Sequence, residues 1–457
     1  MRNSNTLPTI NSYKDLIEFN NLLPVSSPPL NIERVSYSKN IIIVNSQSLG
    51  IDRFLYNYVL NPRKLTGKVN RLRNYDFSKL FLLLQPRAFF KNFQSHVNNL
   101  IMIGENRLIL WEFEIEILKE DITITQYMNP AAEEVVIPYF ITKIDVSAFN
   151  AHGNLKKVVI QDGSKLRLIE NGGFGFCSKL REINLPKNLK KIGKLAFADT
   201  GLESIELPDS ITDIESGCFS AAKLKSVKLP SNLKTLCNSV FSDCKNLTEV
   251  ILPKDLQVIS EGAFAYSGLS SIEFPSHLKV IKASAFIDCE SLRSVIFNKE
   301  LETIGDKVFL GCSLLSEMEL PNSLIKIGFQ AFYGCTALNK AVVIHDRVEE
   351  LGACAFELCS EVRSVTIGKG IKHIGIMTFL DCHALREVKI LGDLTSIGTD
   401  AFKATSIEEL VLPKSVKNSI YNNAREKAKG RHIKSHLEAV KYTIAPKCDN
   451  LKAVRFK

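Results

Sequence analysis

"AFIDCESLRSVIF", residues 285–297, decides how this chain is read. It sets a Phe, then a Cys three residues later, then Leu, Val and Phe at spacings of three, three and two. The same phrase recurs as "VFSDCKNLTEVIL" at 240–252, "VFLGCSLLSEMEL" at 308–320, "AFYGCTALNKAVV" at 331–343 and "TFLDCHALREVKI" at 378–390. Its Phe falls at Phe149, Phe174, Phe197, Phe219, Phe241, Phe264, Phe286, Phe309, Phe332, Phe356, Phe379 and Phe402. Twelve occurrences over 253 residues give a mean interval of 23, with single intervals of 22 to 25. A fixed period of this length marks a stacked repeat architecture.

Each unit has a physical reading. In Leu292, Val295 and Phe297 the last two apolar residues alternate with polar ones, as in a half-buried strand. A Pro usually follows (Pro186, Pro208, Pro230, Pro253, Pro275, Pro321, Pro413) and stops the ladder, because proline has no N–H to donate. A short turn comes next, with apolar residues about three apart such as Leu301 and Ile304. Then a Gly often stands, as at Gly193, Gly305, Gly328, Gly352, Gly375 and Gly398, before the next Ala-Phe pair. One unit cannot bury its apolar face alone; stacked units can.

This order resembles the leucine-rich repeat in its BspA-like (bacterial surface antigen) variety, over roughly residues 133–413. The resemblance implies an α/β repeat solenoid of about 12–14 units of about 23 residues with a parallel sheet on one face. For function it implies surface or interaction proteins, and it transfers architecture better than activity. The expected strands lie at 155–160, 180–185, 202–207, 224–229, 247–252, 269–274, 292–297, 315–320, 338–343, 362–367, 385–390 and 407–412, with an earlier rung at Val135–Pro138. Twelve rungs at ~4.8 Å give a sheet about 58 Å long.

Three segments are expected: a small, basic α+β domain at 1–130, the solenoid at 131–413, and a basic capping segment at 414–457. In the first, "SYKDLIEFNNLL" reads as a helix with Ser12 as N-cap. "NLIMIGENRLILWEFEIEIL" reads as a hairpin turning at Gly104-Glu105-Asn106, with Ile109, Trp111, Phe113, Ile115 and Ile117 on one face of its second arm. In the last, "SIYNNAREKAKG" reads as a basic helix, and "CDNLKAVRF" at 448–456 matches "CESLRSVIF", so a final rung is expected at 451–456.

Seven of the eleven cysteines share the slot three after the Phe: Cys177, Cys244, Cys289, Cys312, Cys335, Cys359 and Cys382. Other units put Thr200, Ala222, Ser267 or Thr405 there, so the slot asks for small size rather than for a ligand or nucleophile. No C-x-x-C pair supports zinc, and equivalent stacked side chains point the same way rather than at each other. His432 and His436, four apart, would share a face if helical, but no third ligand accompanies them. Neither metal nor cofactor is expected. No G-x-x-x-x-G-K-[ST], G-x-S-x-G or H-E-x-x-H is present, so no enzyme is expected.

The first residues lack a basic and apolar leader, and uncharged runs such as Asn92–Gly104, at thirteen residues, are too short to span a membrane. Reduced thiols and this N-terminus lead to a cytoplasmic expectation. The one sequon, Asn246-Leu247-Thr248, is then without meaning.

Charge is uneven. Residues 34–91 hold eleven Lys+Arg against two Asp, and 414–457 hold twelve against three acids, each +9; the chain totals +9, so the remainder sums to −9. The densest basic run, 63–75, contains Arg63, Lys64, Lys68, Arg71 and Arg73. It is a candidate patch for nucleic acid or an anionic membrane, set against a merely solvated surface. On the strand face, Glu206, Glu249, Glu273, Glu317 and Glu319 are the candidate partner-binding residues. The leading expectation is a non-enzymatic intracellular scaffold binding a protein partner through the repeat surface. The alternatives are a surface adhesin of the BspA type and a nucleic-acid or ribonucleoprotein component.

Overall fold

The computed structural model describes residues 113–118, 121–429 and 432–457, and the backbone of strands at 35–38, 41–44, 58–59, 100–102 and 107–110. The chain divides into two compact units, 1–130 with 140–148, and 131–139 with 149–457.

In the first unit, strands Leu100–Met102 and Arg107–Leu110 pair antiparallel, as the expected hairpin requires. The second arm is not one strand, however. Arg107–Leu110 pairs antiparallel with Phe113–Leu118, Leu110 opposite Phe113, and the chain reverses between them. The sequence hides this, because both arms of a hairpin alternate with the same period of two. Phe113–Leu118 then pairs with Asp121–Tyr127, and Phe113, Ile115, Ile122 and Ile124 are buried. The helix at "SYKDLIEFNNLL", the Gly104–Asn106 turn and Trp111 lie outside the described residues.

The second unit is a parallel solenoid with two rows of strands. The first row holds the expected rungs: Glu134–Ile137, Lys157–Ile160, Ser226–Lys228, Glu249–Ile251, Ser271–Glu273, Ser294–Ile296, Glu317–Met318, Ser364–Ile367, Glu387–Ile390 and Glu409–Leu412 among them. Inward and outward residues alternate along them, as in Ser364–Ile367 and Glu387–Ile390. Residues 202–207 bury Leu202 and Ile205 but form no strand. At the second row the sequence reads as a turn, and the structure differs. The row consists of two-residue strands, and six of them, from Thr235–Leu236 to Glu350–Leu351, form one continuous sheet. Two residues are too few for a period of two to show in a sequence.

The third side is the Phe turn. All twelve phenylalanines are fully buried, and consecutive rings stack with centroids 4.7–5.6 Å apart and interplanar angles of 4–22°. The second residue before and the second residue after every one of them has positive φ, for example Ser284 (55°) and Asp288 (52°) around Phe286. This left-handed conformation disfavours most side chains, and short polar residues and glycine tolerate it best. Gly262 and Gly311 occupy it at 60° and 73°. Alternate N–H groups of each turn donate to the next unit: Ser284 to Asp306 C=O, Phe286 to Val308 C=O and Asp288 to Leu310 C=O, at 2.7–2.9 Å.

The glycines before the turns have a different cause. A Cβ on Gly193, Gly305, Gly328, Gly352, Gly375 or Gly398 would lie 2.4–2.9 Å from the backbone of the preceding unit. Only a residue without one lets the units approach so closely.

The array ends in a cap. Helix α1 (Lys417–Lys427) and helix α2 (His436–Thr443) follow the last full unit. Ser435 caps α2, accepting from the Glu438 N–H at 3.1 Å. The last turn donates from Asp400, Phe402 and Ala404 to the carbonyls of Thr443, Ile444 and Pro446, at 2.9, 2.7 and 3.0 Å. The end of α2 thus stands where a thirteenth Phe turn would be. Ala453–Phe456 then pairs in parallel with Glu409–Leu412, giving the expected final rung.

Phe286 has a stacked ring on each side, whereas among the described residues Phe402 stacks on Phe379 alone. Phe286→Ala is therefore expected to cost ~3–5 kcal/mol and Phe402→Ala less. Chemical denaturation of both variants is the check; equal losses would contradict stacking between neighbouring units.

Candidate functional site

The outward residues of the first strand row form the surface on which the candidate glutamates sit. Glu206, Glu249, Glu273, Glu317 and Glu319 are all exposed. Among the described residues none of the five has an ion-pair partner, whereas Glu182, Glu387 and Glu409 on the same face pair with Lys157, Lys389 and Arg455 at 3.3, 3.0 and 2.8 Å. The register separates rather than gathers them. Glu273 faces Ile296, Glu317 faces Ser294, and Glu249 faces Ser226. Only Glu317 and Glu319 share a rung. In the paired register none of the five stands directly opposite another.

Apolar side chains lie between them. Ile251, Ile296 and Val343 are 51%, 56% and 40% exposed and occupy the same outward position as Glu273. The sequence places Lys340 and Val342 outward in the unit at 338–343, and here the structure differs. Val342 comes four residues after Leu338, whereas in the next unit Val365 comes three after Val362, and Val342 pairs with Val365. Val342 is buried and Val343 faces out, because one extra residue turns every following side chain to the other face. The strand row is interrupted there, between the sheet ending at Glu317–Met318 and the one beginning at Val342–Ile344. An open cleft of about 450 Å³ lies at the break, walled by Met318, Glu319, Leu320, Lys340 and Val343. His345 spans it, its Nε2 2.9 Å from the Leu320 carbonyl oxygen.

The candidate basic patch of Arg63, Lys64, Lys68, Arg71 and Arg73 lies outside the described residues. In the C-terminal segment, Lys427, Lys452 and Arg455 are drawn to Asp400, Glu408 and Glu409, and Lys417 lies 5.9 Å from the centre of the Phe456 ring. His432 and His436 do not share a helical face. Helix α2 begins at His436, and its ring meets Tyr421 and Phe456 edge-on at 5.7 and 4.9 Å.

The cysteine ladder has a role that spacing alone did not show. Each thiol donates to the Phe carbonyl of the preceding unit: Cys177 to Phe149, Cys244 to Phe219, Cys289 to Phe264, Cys312 to Phe286, Cys335 to Phe309, Cys359 to Phe332 and Cys382 to Phe356, at 3.0–3.3 Å. Cys448 does the same to Phe402 at 2.9 Å, spanning the atypical end unit. Thr200 and Thr405, in the same slot, turn back to the Phe carbonyl of their own unit at 2.9 Å. Burial lifts Cys289 from 9.0 to about 11, and Cys177 and Cys244 to about 12, so these thiols are poor nucleophiles. No metal-holding group of three His, Cys, Asp or Glu occurs among the described residues.

A thiol with a raised folded-state pKa stabilises the fold while both states stay protonated, below about pH 9. Above that the unfolded chain loses protons first, and stability falls as pH rises toward the folded value. Cys289→Ala is expected to cost ~0.5–3 kcal/mol at neutral pH and to flatten the alkaline slope. Denaturation curves from pH 7 to 11 measure both; an unchanged slope would remove the thiol from this account.

A comparison with curated proteins finds no match. Among solved structures, a leucine-rich repeat protein from Bacteroides ovatus is 23% identical, covering 76% of this chain and 99% of its own, with a TM-score of 0.48. A leucine-rich cell surface protein from Faecalibacterium prausnitzii is 20% identical, covering 77% and 94%, with a TM-score of 0.43. The pneumococcal vaccine antigen PcpA is 18% identical, covering 77% and 99%, with a TM-score of 0.44. The sequence model of the BspA-type leucine-rich repeat region matches residues 110–224, 212–318 and 302–429. This match overturns the expected intracellular scaffold and its cytoplasmic location. A missing leader and free thiols do not support that location: where a sequence begins says nothing of location, and the thiols of the repeat slot are buried in the fold. The matched repeats are a non-catalytic scaffold. With well over half of its residues covered by that match, the chain belongs to the BspA-type leucine-rich repeat family.

Proposed function

We propose that the protein is a surface adhesin of the BspA type that binds a protein partner through the outward face of its first strand row. The observation that carries this is the pattern on that face. Glu206, Glu249, Glu273, Glu317 and Glu319 are exposed and without ion-pair partners among the described residues, while Ile251, Ile296 and Val343 stand exposed between them. Carboxylates left without counter-charges attract a basic partner and raise its rate of encounter, and exposed apolar residues supply contact once it has docked. In this reading residues 1–130 are a separate N-terminal domain and 414–457 are the cap, and neither makes the principal contact. No helix among the described residues is long and apolar enough to cross a membrane, so attachment to a surface is assigned to no described segment.

Biotinylation of intact cells tests location: the protein should be labelled without permeabilisation. Capture from the cell's surroundings followed by mass spectrometry identifies the partner. Glu273→Lys with Glu317→Lys should leave the melting temperature near that of the parent, since neither side chain is buried. Association with the captured partner should slow by on the order of tenfold at low salt. If the rate is untouched and removal of residues 1–130 abolishes binding, the sheet is a spacer and recognition lies in the N-terminal segment.

A further inference from the structure

Asn246-Leu247-Thr248 is the one N-x-S/T triplet in the chain, and its middle residue is not Pro. The triplet lies between the Phe241 turn and the strand Glu249–Ile251. Asn246 and Thr248 are exposed, whereas Leu247 is fully buried in the row of leucines that closes each unit. The Leu247 N–H donates to the Cys244 carbonyl at 3.0 Å, and the Thr248 N–H and Oγ1 reach the Lys225 carbonyl at 2.9 and 3.2 Å. No hydrogen bond holds the Asn246 side chain among the described residues. Two other units carry the same local arrangement without the hydroxyl. In Asn154-Leu155-Lys156 and Asn450-Leu451-Lys452 the Asn is again exposed and the Leu buried, with Lys at the third place.

We propose that Asn246 is an acceptor for an N-linked oligosaccharide; this rests on the surface reading, since it requires export through a compartment that holds an oligosaccharide transferase. The donor is an oligosaccharide carried on a lipid diphosphate. The Asn246 amide nitrogen attacks the first sugar carbon; that carbon's bond to the diphosphate oxygen breaks, the new carbon–nitrogen bond forms, the amide gives up one proton, and the lipid diphosphate leaves. No oxidant or reductant is needed. The required hydroxyl at the third position is supplied by Thr248. In the folded unit that hydroxyl is engaged by Lys225 and Leu247 is held in the core, so transfer precedes closure of this rung. The fold then accepts the product, because Asn246 is exposed on the surface.

The full chain, secreted from a eukaryotic host behind an added leader, decides the matter by intact mass before and after treatment with a peptide N-glycosidase. One glycan is expected per chain, with Asn246 left as Asp after release. Thr248→Val should abolish it, and Thr248→Ser should keep it. Lys156→Thr, which builds the same triplet at Asn154, should add a second glycan and shows that the chain met the transferase. A Lys156→Thr chain glycosylated at Asn154 but not at Asn246 overturns the proposal, as does a secreted parent chain with no glycan. Labelling of intact source cells reports separately on location. A failure of the surface reading is thereby told apart from a failure of this one.

Discussion

Each Phe turn aims its N–H groups at the unit that follows, and the rest of the solenoid depends on that direction. A buried N–H without an acceptor is costly, so a turn of this kind cannot stand at the end of the array unaided. The C-terminal cap meets the need. A helix leaves its last carbonyls without partners, and α2 offers those of Thr443 and Ile444, with Pro446 just beyond, to the N–H groups of Asp400, Phe402 and Ala404. Two sets of unsatisfied groups cancel at one junction. The loss of a recognisable Phe after Phe402 is therefore no decay of the repeat; a helix end has replaced the turn.

The cysteines follow from the same geometry. Two left-handed residues per unit fold the turn so that the Phe carbonyl meets the thiol of the next unit. A thiol is a weak donor of modest size and fits beneath the turn, so the slot accepts Ser, Thr or Ala at other rungs. Its burial raises the thiol's pKa and makes it a poor nucleophile. Free cysteines of this kind carry no information about where the protein resides.

The strand face is a surface of separated charges. The regular stagger of rungs spreads the carboxylates, and outward isoleucines and a valine fall between them. One extra residue between Leu338 and Val342 breaks the row and opens a cleft, while the second row runs on unbroken behind it. Two rows and a stacked Phe column hold the solenoid together, so a local slip in one row is tolerated.

Much of this was legible in the sequence, because a repeat states its period many times over. The Phe interval, the Pro stops and the inward Leu and Val of each unit determined the solenoid, most of its rungs and the final strand at the C-terminus. The same letters identified the exposed glutamates, since alternation in a strand assigns each residue a face. The tertiary structure decided what depends on distances between units. It made strands of the two-residue stretches at the second corner, where the period was too short to read. It showed that the glycines at 305, 328, 352, 375 and 398 are fixed by backbone approaching within 2.4–2.9 Å of a would-be Cβ. It turned Val342 inward and Val343 outward, because register is set by pairing with Val365 and Thr366 and not by counting from Leu338. Periodicity within a chain is a local property that a sequence records; the contact made between two copies of that period is not, and only the stacked fold supplies it.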